Sequence, residues 1–456
     1  MTPIPLEIID LITDMVYQST NPIVTLKACA TVSKRFYPRA QKHLFTFITL
    51  CFENASTLPA TPFPPHHAAQ PLLDALLLRP ELARHIKHLN IIGFSEGYWI
   101  SQGLDDDDME DEDFCDVPDT VLPHLFEIIG KYANLQSFFF SGPSDISDDA
   151  IQSHYDRKPA SYELRCSLLR MLARTRVSHV SLSSVSGIPL TTIVILCPEL
   201  KRLQVEWTSG YDIGKDGSEE GEDDTELLSF EKDPGRLEAL SVDERSVLCV
   251  RKLLGQAANG GTSASALSHL RELTVKGTTS SLLSIASDLI SHAVETLESL
   301  TWEVKNSFVI VDLMSNDQIN LASAAALRTL RFAFPECHSA ESAFLPQLTD
   351  ILSSLHGRNN LEAVVINYTA QAMPASPFHA SSDREQNTWA SSVCYRLACR
   401  TSFPHLRTVT VVVEYHEEEW SVLGGDAPLG SAMLALAIQL NGLRERGVLK
   451  LEWVPV

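Results

Sequence analysis

The side chains able to do covalent or metal chemistry in this chain are nine cysteines, fifteen histidines and two dense acidic runs. The cysteines stand singly, at positions 29, 51, 115, 166, 197, 249, 337, 394 and 399. An odd number at wide spacing builds no disulfide framework. Zinc asks for thiolate and imidazole ligands delivered in close pairs. Cys394 and Cys399 are five residues apart, a poor ligand spacing, and both are expected on an apolar helix face. His85 and His88 have no cysteine pair beside them. The segment Gly255–Thr262 (GQAANGGT) has the glycines of a phosphate loop but lacks its lysine, and is expected to be a flexible loop. No G-x-S-x-G elbow occurs. The run Asp105–Asp116 lacks the spaced ligands and glycine of a dedicated calcium loop. The sequence therefore predicts no catalytic residue, no metal and no cofactor, and so not an enzyme.

With chemistry set aside, charge is the next guide. The chain has 456 residues and a formal net charge of -22. Asp105–Asp116 holds nine acids and no base, and Asp212–Glu226 holds eight acids and one lysine, so two short runs account for 16 of the 22 net charges. Like charges repel and stay solvated, which predicts surface loops over 105–116 and 212–226. The overall charge opposes sequence-independent binding to nucleic acid. Glu7, Asp10 and Asp14 interrupt the first apolar stretch, unlike a signal peptide. The longest apolar run, Ile188–Leu196, is far short of the ~20 residues that span a bilayer. The expectation is a soluble protein of the cytoplasm or nucleus, without membrane contact.

One motif recurs twelve times: apolar, two spacers, apolar, one spacer, apolar. It begins at Phe45, Ile86, Leu135, Val177, Leu200, Leu237, Leu270, Leu297, Leu327, Leu361, Leu406 and Val448. Its last two apolar positions alternate with polar ones, as in a strand with one wet face. Between the motifs lie stripes at three- and four-residue spacing: Leu168, Leu169, Met171 and Leu172; Leu282, Ile285, Ala286, Leu289 and Ile290; Leu345, Leu348, Ile351, Leu352 and Leu355. These are helical. Strands that each follow a helix stack in parallel, with the helices outside. The competing arrangement is a doubly wound sheet. Its strands would be apolar on both faces, and it would carry a glycine-rich turn after a strand; neither feature is present. The repeat spacing is irregular, from 23 to 49 residues. The expected fold is α/β: three short helices over 1–46, then an irregular solenoid over 47–456.

Within the first segment, Pro5 precedes the apolar-periodic Leu6, Ile8, Ile9, Ile12, Met15 and Val16. Asn21 and Pro22 start a second helix, and Pro38 starts a third. Three short helices make too small a core to stand alone. The segment from Ile4 to Phe45 resembles an F-box. The matching elements are Ile4-Pro5-Leu6-Glu7-Ile8 at the opening, Leu26 at the centre, Val32-Ser33-Lys34-Arg35-Phe36, and the closing Leu44-Phe45. Ser33 stands where the family has cysteine, and Phe36 and Phe45 where it has tryptophan. The run TLKACATVSKRFYPRAQKHLF particularly resembles F-box-like proteins of higher fungi. The motifs behind it resemble degenerate leucine-rich repeats, without the asparagine or cysteine those repeats place eight residues after the first leucine.

The resemblance implies a substrate-recognition adaptor of a cullin-RING (SCF-type) ubiquitin ligase, with the F-box binding the Skp adaptor and the repeats binding a substrate protein. By position it places Pro5, Ile8, Ile12, Leu26, Val32 and Phe36 at the Skp interface. The wet strand face offers Arg202, Gln204, Glu206, Glu272, Lys276, Glu303 and Arg331 to a substrate. It carries no basic stripe of the kind that binds nucleic acid. The alternative is an interaction scaffold whose F-box has drifted and joins no ligase.

Overall fold

The computed structural model describes residues 4–19, 22–52, 69–94, 120–142, 161–208, 235–258, 262–277, 279–304, 319, 321–334, 348, 351–355, 359–370, 389–415, 433–434 and 436–455. Both acidic runs, Asn21 and most of the Pro59–Pro71 stretch lie outside them. The chain forms two compact units, Met1–Gly235 and Arg236–Val456.

The first unit opens with three helices, α1 (Leu6–Tyr17), α2 (Pro22–Val32) and α3 (Tyr37–Thr46). Pro22 and Pro38 lie in the first turns of their helices, where a missing N–H breaks no hydrogen bond. Strand β1 (Phe47–Cys51) follows α3 directly. The unit then runs through α4 (Gln70–Leu78), a 3-10 turn (Pro80–His85), β2 (His88–Ile92), α5 (Val121–Tyr132), β3 (Ser137–Ser141), α6 (Tyr162–Arg174), β4 (His179–Ser183), α7 (Leu190–Leu196) and β5 (Arg202–Glu206). Each strand pairs in parallel with the next in sequence, β1 to β5.

The second unit repeats the scheme with seven strands: β6 (Ala239–Asp243), β7 (Glu272–Lys276), β8 (Ser299–Glu303), β9 (Thr329–Phe334), β10 (Ala363–Ala370), β11 (Thr408–Tyr415) and β12 (Leu449–Pro455). These too pair in parallel in sequence order. Its described helices include α8 (Val247–Ala258), α9 (Thr262–Leu267), α10 (Ser280–His292), α11 (Trp389–Ala398) and α12 (Asn441–Arg446). Of the Gly255–Thr262 segment expected to be a loop, residues 255–258 instead belong to α8 and Thr262 to α9, and residues 259–261 lie outside the described residues.

The last two apolar positions of all twelve motifs fall on strands and share one face. Leu89, Phe138, Val180 and Leu203 are register partners and each is at most 2% exposed. Leu273, Leu300, Leu330 and Val364 do the same in the second unit. Helices cover that face with their own stripes: Leu122, Leu125, Phe126 and Ile129 on α5, and Leu282, Ile285, Ala286, Leu289 and Ile290 on α10, all buried. Within each unit the strand order never reverses, so neither sheet has the switch point of a doubly wound fold.

Two devices stand where the regular repeats would carry an asparagine. The chain leaves several strands through a left-handed residue: Gly93 after β2, Ser184 after β4, Trp207 after β5 and Gly277 after β7. Side chains rarely adopt that conformation, so Ser184 and Trp207 are held there by their surroundings. In the first unit the turns are then filled by aromatic packing. Phe52 meets Phe94 edge-on at 5.2 Å, and Phe94 lies 5.7 Å from Phe140. At the turn after β5 the buried Thr208 hydroxyl donates to the backbone carbonyl of Glu206 at 3.1 Å.

Candidate partner-binding site

The three N-terminal helices are tied together by polar contacts and a thin core. Asp14 on α1 accepts two hydrogen bonds from the Arg39 guanidinium, at 2.7 and 2.6 Å, and lies 2.7 Å from His43 Nε2. The Arg39 and then the His43 hydrogen bonds hold the Asp14 carboxyl well below the ordinary carboxylate range. Tyr17 stacks on His43 at 4.5 Å. Ile9, Leu26 and Ala40, one from each helix, are essentially fully buried.

This inward packing leaves the other face of α1 uncovered. Ile8, Leu11, Ile12 and Met15 follow three- and four-residue spacing, so they share one helical stripe. They are 48%, 59%, 39% and 64% exposed. On α2, Ile23, Val24 and Val32 are exposed as well. Leu77, Leu78, Leu248, Leu434 and Ile438 are exposed as well, but the exposed apolar residues are most concentrated, among the described residues, at the N-terminal helices.

The residues read as adaptor contacts are therefore not equivalent. Pro5, Ile8, Ile12 and Val32 are exposed, and Phe36 is half-buried. Leu26 is 1% exposed and sits in the small core instead of on the surface. A motif match fixes position along the helix, whereas burial depends on which stripe the neighbouring helices cover.

The strand-face residues lie where alternation put them. Arg202, Gln204 and Glu206 occupy the outward positions of β5, and Gln204 Nε2 donates to Glu206 Oε1 at 2.9 Å. In the second unit Glu272 and Lys276 lie on β7, Glu303 on β8 and Arg331 on β9, all outside the core. Lys276 and Glu303 are register partners and form an ion pair at 3.4 Å. Arg331 and Glu272 sit at different levels of that face, opposite Thr301 and Ser299.

The thiols separate by environment. Cys166, Cys197, Cys249 and Cys394 are buried. Burial pushes the Cys249 thiol up to about 12. Cys399 is exposed, not on the apolar helix face expected of it, because α11 ends at Ala398. Hydroxyls of Ser402 and Thr401 lower its thiol to about 7. It lines a cavity of about 670 Å³ with Cys394, Phe403 and Gly442. Among the described residues, no three histidine, cysteine or acidic side chains converge as a metal site would require. No helix among them is long and apolar enough to cross a membrane. The chain matches no family model and no curated protein.

Proposed function

We propose that this chain is a substrate-recognition adaptor of an SCF-type ubiquitin ligase. Its N-terminal helices dock on the Skp adaptor, and its stacked parallel strands, in the manner of a degenerate leucine-rich-repeat array, receive a substrate protein. The observation that carries the reading is the exposed stripe Ile8, Leu11, Ile12 and Met15, presented by a helix whose opposite side packs on α2 and α3. Aliphatic anchors at i, i+3, i+4 and i+7 are the pattern by which a helix enters an apolar groove. Pro5 and Val32 are exposed as well, and Phe36 is half-buried. Leu26 is buried in the small core of the three helices.

The mechanism is proximity. A receptor that holds a substrate beside a charged conjugating enzyme raises the local concentration of the acceptor lysine, and the bond-forming steps belong to the partners. Co-elution of the purified chain with purified Skp adaptor tests this reading. The expected result is a complex that Ile8→Asp abolishes while the variant's circular dichroism stays unchanged. Failure of the unaltered chain to bind would leave a repeat scaffold outside any ligase.

A further inference from the structure

The residues immediately before the strands form a continuous row at one edge of each sheet. In the first unit the row is Thr46, Lys87, Gln136, Ser178 and Lys201, each amide bonded to the preceding member's carbonyl at 2.7–3.1 Å. In the second unit the corresponding row is Glu238, Arg271, Glu298, Arg328, Glu362 and Arg407, joined in the same way. The second row alternates in sign and neutralises itself: Arg271 pairs with Glu298 at 3.8 Å, and Glu362 with both Arg328 at 3.4 Å and Arg407 at 3.6 Å. The first row contains no acid.

The surroundings of the first row reinforce the difference. Across the five residues before each of β1–β5 and the first residue of each strand, there are seven lysines and arginines, four histidines and one acid, Glu199. Glu199 is engaged by Arg176 at 3.6 Å. Lys42, Arg84, Lys201 and Arg202 are exposed, and Lys87 is half-exposed. Their fields reach one another. Burial and then the Arg84 and Lys42 charges hold His85 below the ordinary histidine range, and burial followed by Arg202 and Lys201 does the same to His179. A protein of net charge -22 has thus gathered cations along one edge of one sheet. Beyond a Debye length of about 8–10 Å the distant acids are screened, so the local sign governs contact.

We propose that the N-terminal edge of the β1–β5 sheet docks an extended, carboxylate-rich segment of a protein partner. Neighbouring strands are about 4.8 Å apart, so the edge from β1 to β5 is about 19 Å long. An extended chain covers that distance with about six residues. A short acidic stretch laid across the strands therefore meets the lysines and arginines that precede or open β1, β2, β4 and β5, with the neutral Gln136 segment ahead of β3 between them. This deepens the receptor reading by giving the chemistry of its substrate, and rests on that reading only for the partner's fate. Binding to the edge needs no Skp adaptor.

The test is fluorescence anisotropy with the full chain and a labelled peptide of alternating glutamate and glycine, about twelve residues long. Its controls are a glutamine–glycine peptide and a uridine oligonucleotide of equal charge. The expected result is saturable binding of the glutamate peptide only, weakened about tenfold or more between about 50 and about 300 mM salt. The double variant Lys87→Glu, Arg202→Glu should weaken binding by at least about tenfold with its melting curve unchanged, and Arg251→Glu, an exposed arginine of α8, should bind normally. No saturable binding at low salt, tighter binding of the oligonucleotide, or equal effects of the two variants would overturn the proposal. Because the Skp adaptor is absent, this outcome is independent of whether the N-terminal helices join a ligase.

Discussion

Asp14 is the side chain on which the N-terminal helices most depend, since it joins α1 to two residues of α3. About a third of it is exposed, so screening limits the stabilisation to about 1 kcal/mol. Its folded carboxyl lies far below the unfolded value, so the contribution is complete above about pH 4 and fades as pH falls further. Asp14→Asn should therefore speed amide hydrogen exchange in α1 and α3 at neutral pH, with the difference from the unaltered chain shrinking below about pH 4. The thiols make a second test. At pH 7 iodoacetamide should modify Cys399 well before Cys249, which mass spectrometry of tryptic peptides would show; equal rates would contradict the assigned environments. Neither behaviour was legible in the sequence. Asp14 read only as a charge unlike a signal peptide's, and Cys399 read as a helix-core thiol. Both depend on partners 25 residues away or on where a helix ends.

The elements were far more legible than the side chains' partners. Twelve motifs gave twelve strands because period-two burial is a local consequence of one wet face. The exits from those strands were not readable. Left-handed turns at Ser184 and Trp207, and the Phe52–Phe94–Phe140 packing, are tertiary solutions that carry no fixed spacing. Helix contacts were equally hidden. A Cβ at Gly130 of α5 would stand 3.0 Å from Met171 Cα of α6, so the two helices approach at the limit that glycine permits. Gly130→Val should destabilise the first unit by about 2 kcal/mol through forced separation, measured by urea denaturation. Phe140→Ala, which opens a cavity among aromatic neighbours, should cost about 3–5 kcal/mol.

For the whole molecule, the same backbone scheme is used with two kinds of edge. The second unit pairs its edge charges with one another, whereas the corresponding row of the first holds two lysines and no acid. The charges were visible in the sequence, yet their alignment was not, because the connections between strands differ in length and only register brings Lys87 and Lys201 to one level. Leu26 shows the complementary limit: a matched motif position that the assembled helices turn inward. At this scale the α1 stripe is proposed as the interface for the Skp adaptor. Hydrogen–deuterium exchange of the full chain with and without that adaptor tests it most directly. The expected result is slowed exchange over residues 5–16 and 22–36, with the edge of the β1–β5 sheet unchanged. Uniform exchange across the N-terminal helices, or protection confined to the strands, would contradict it.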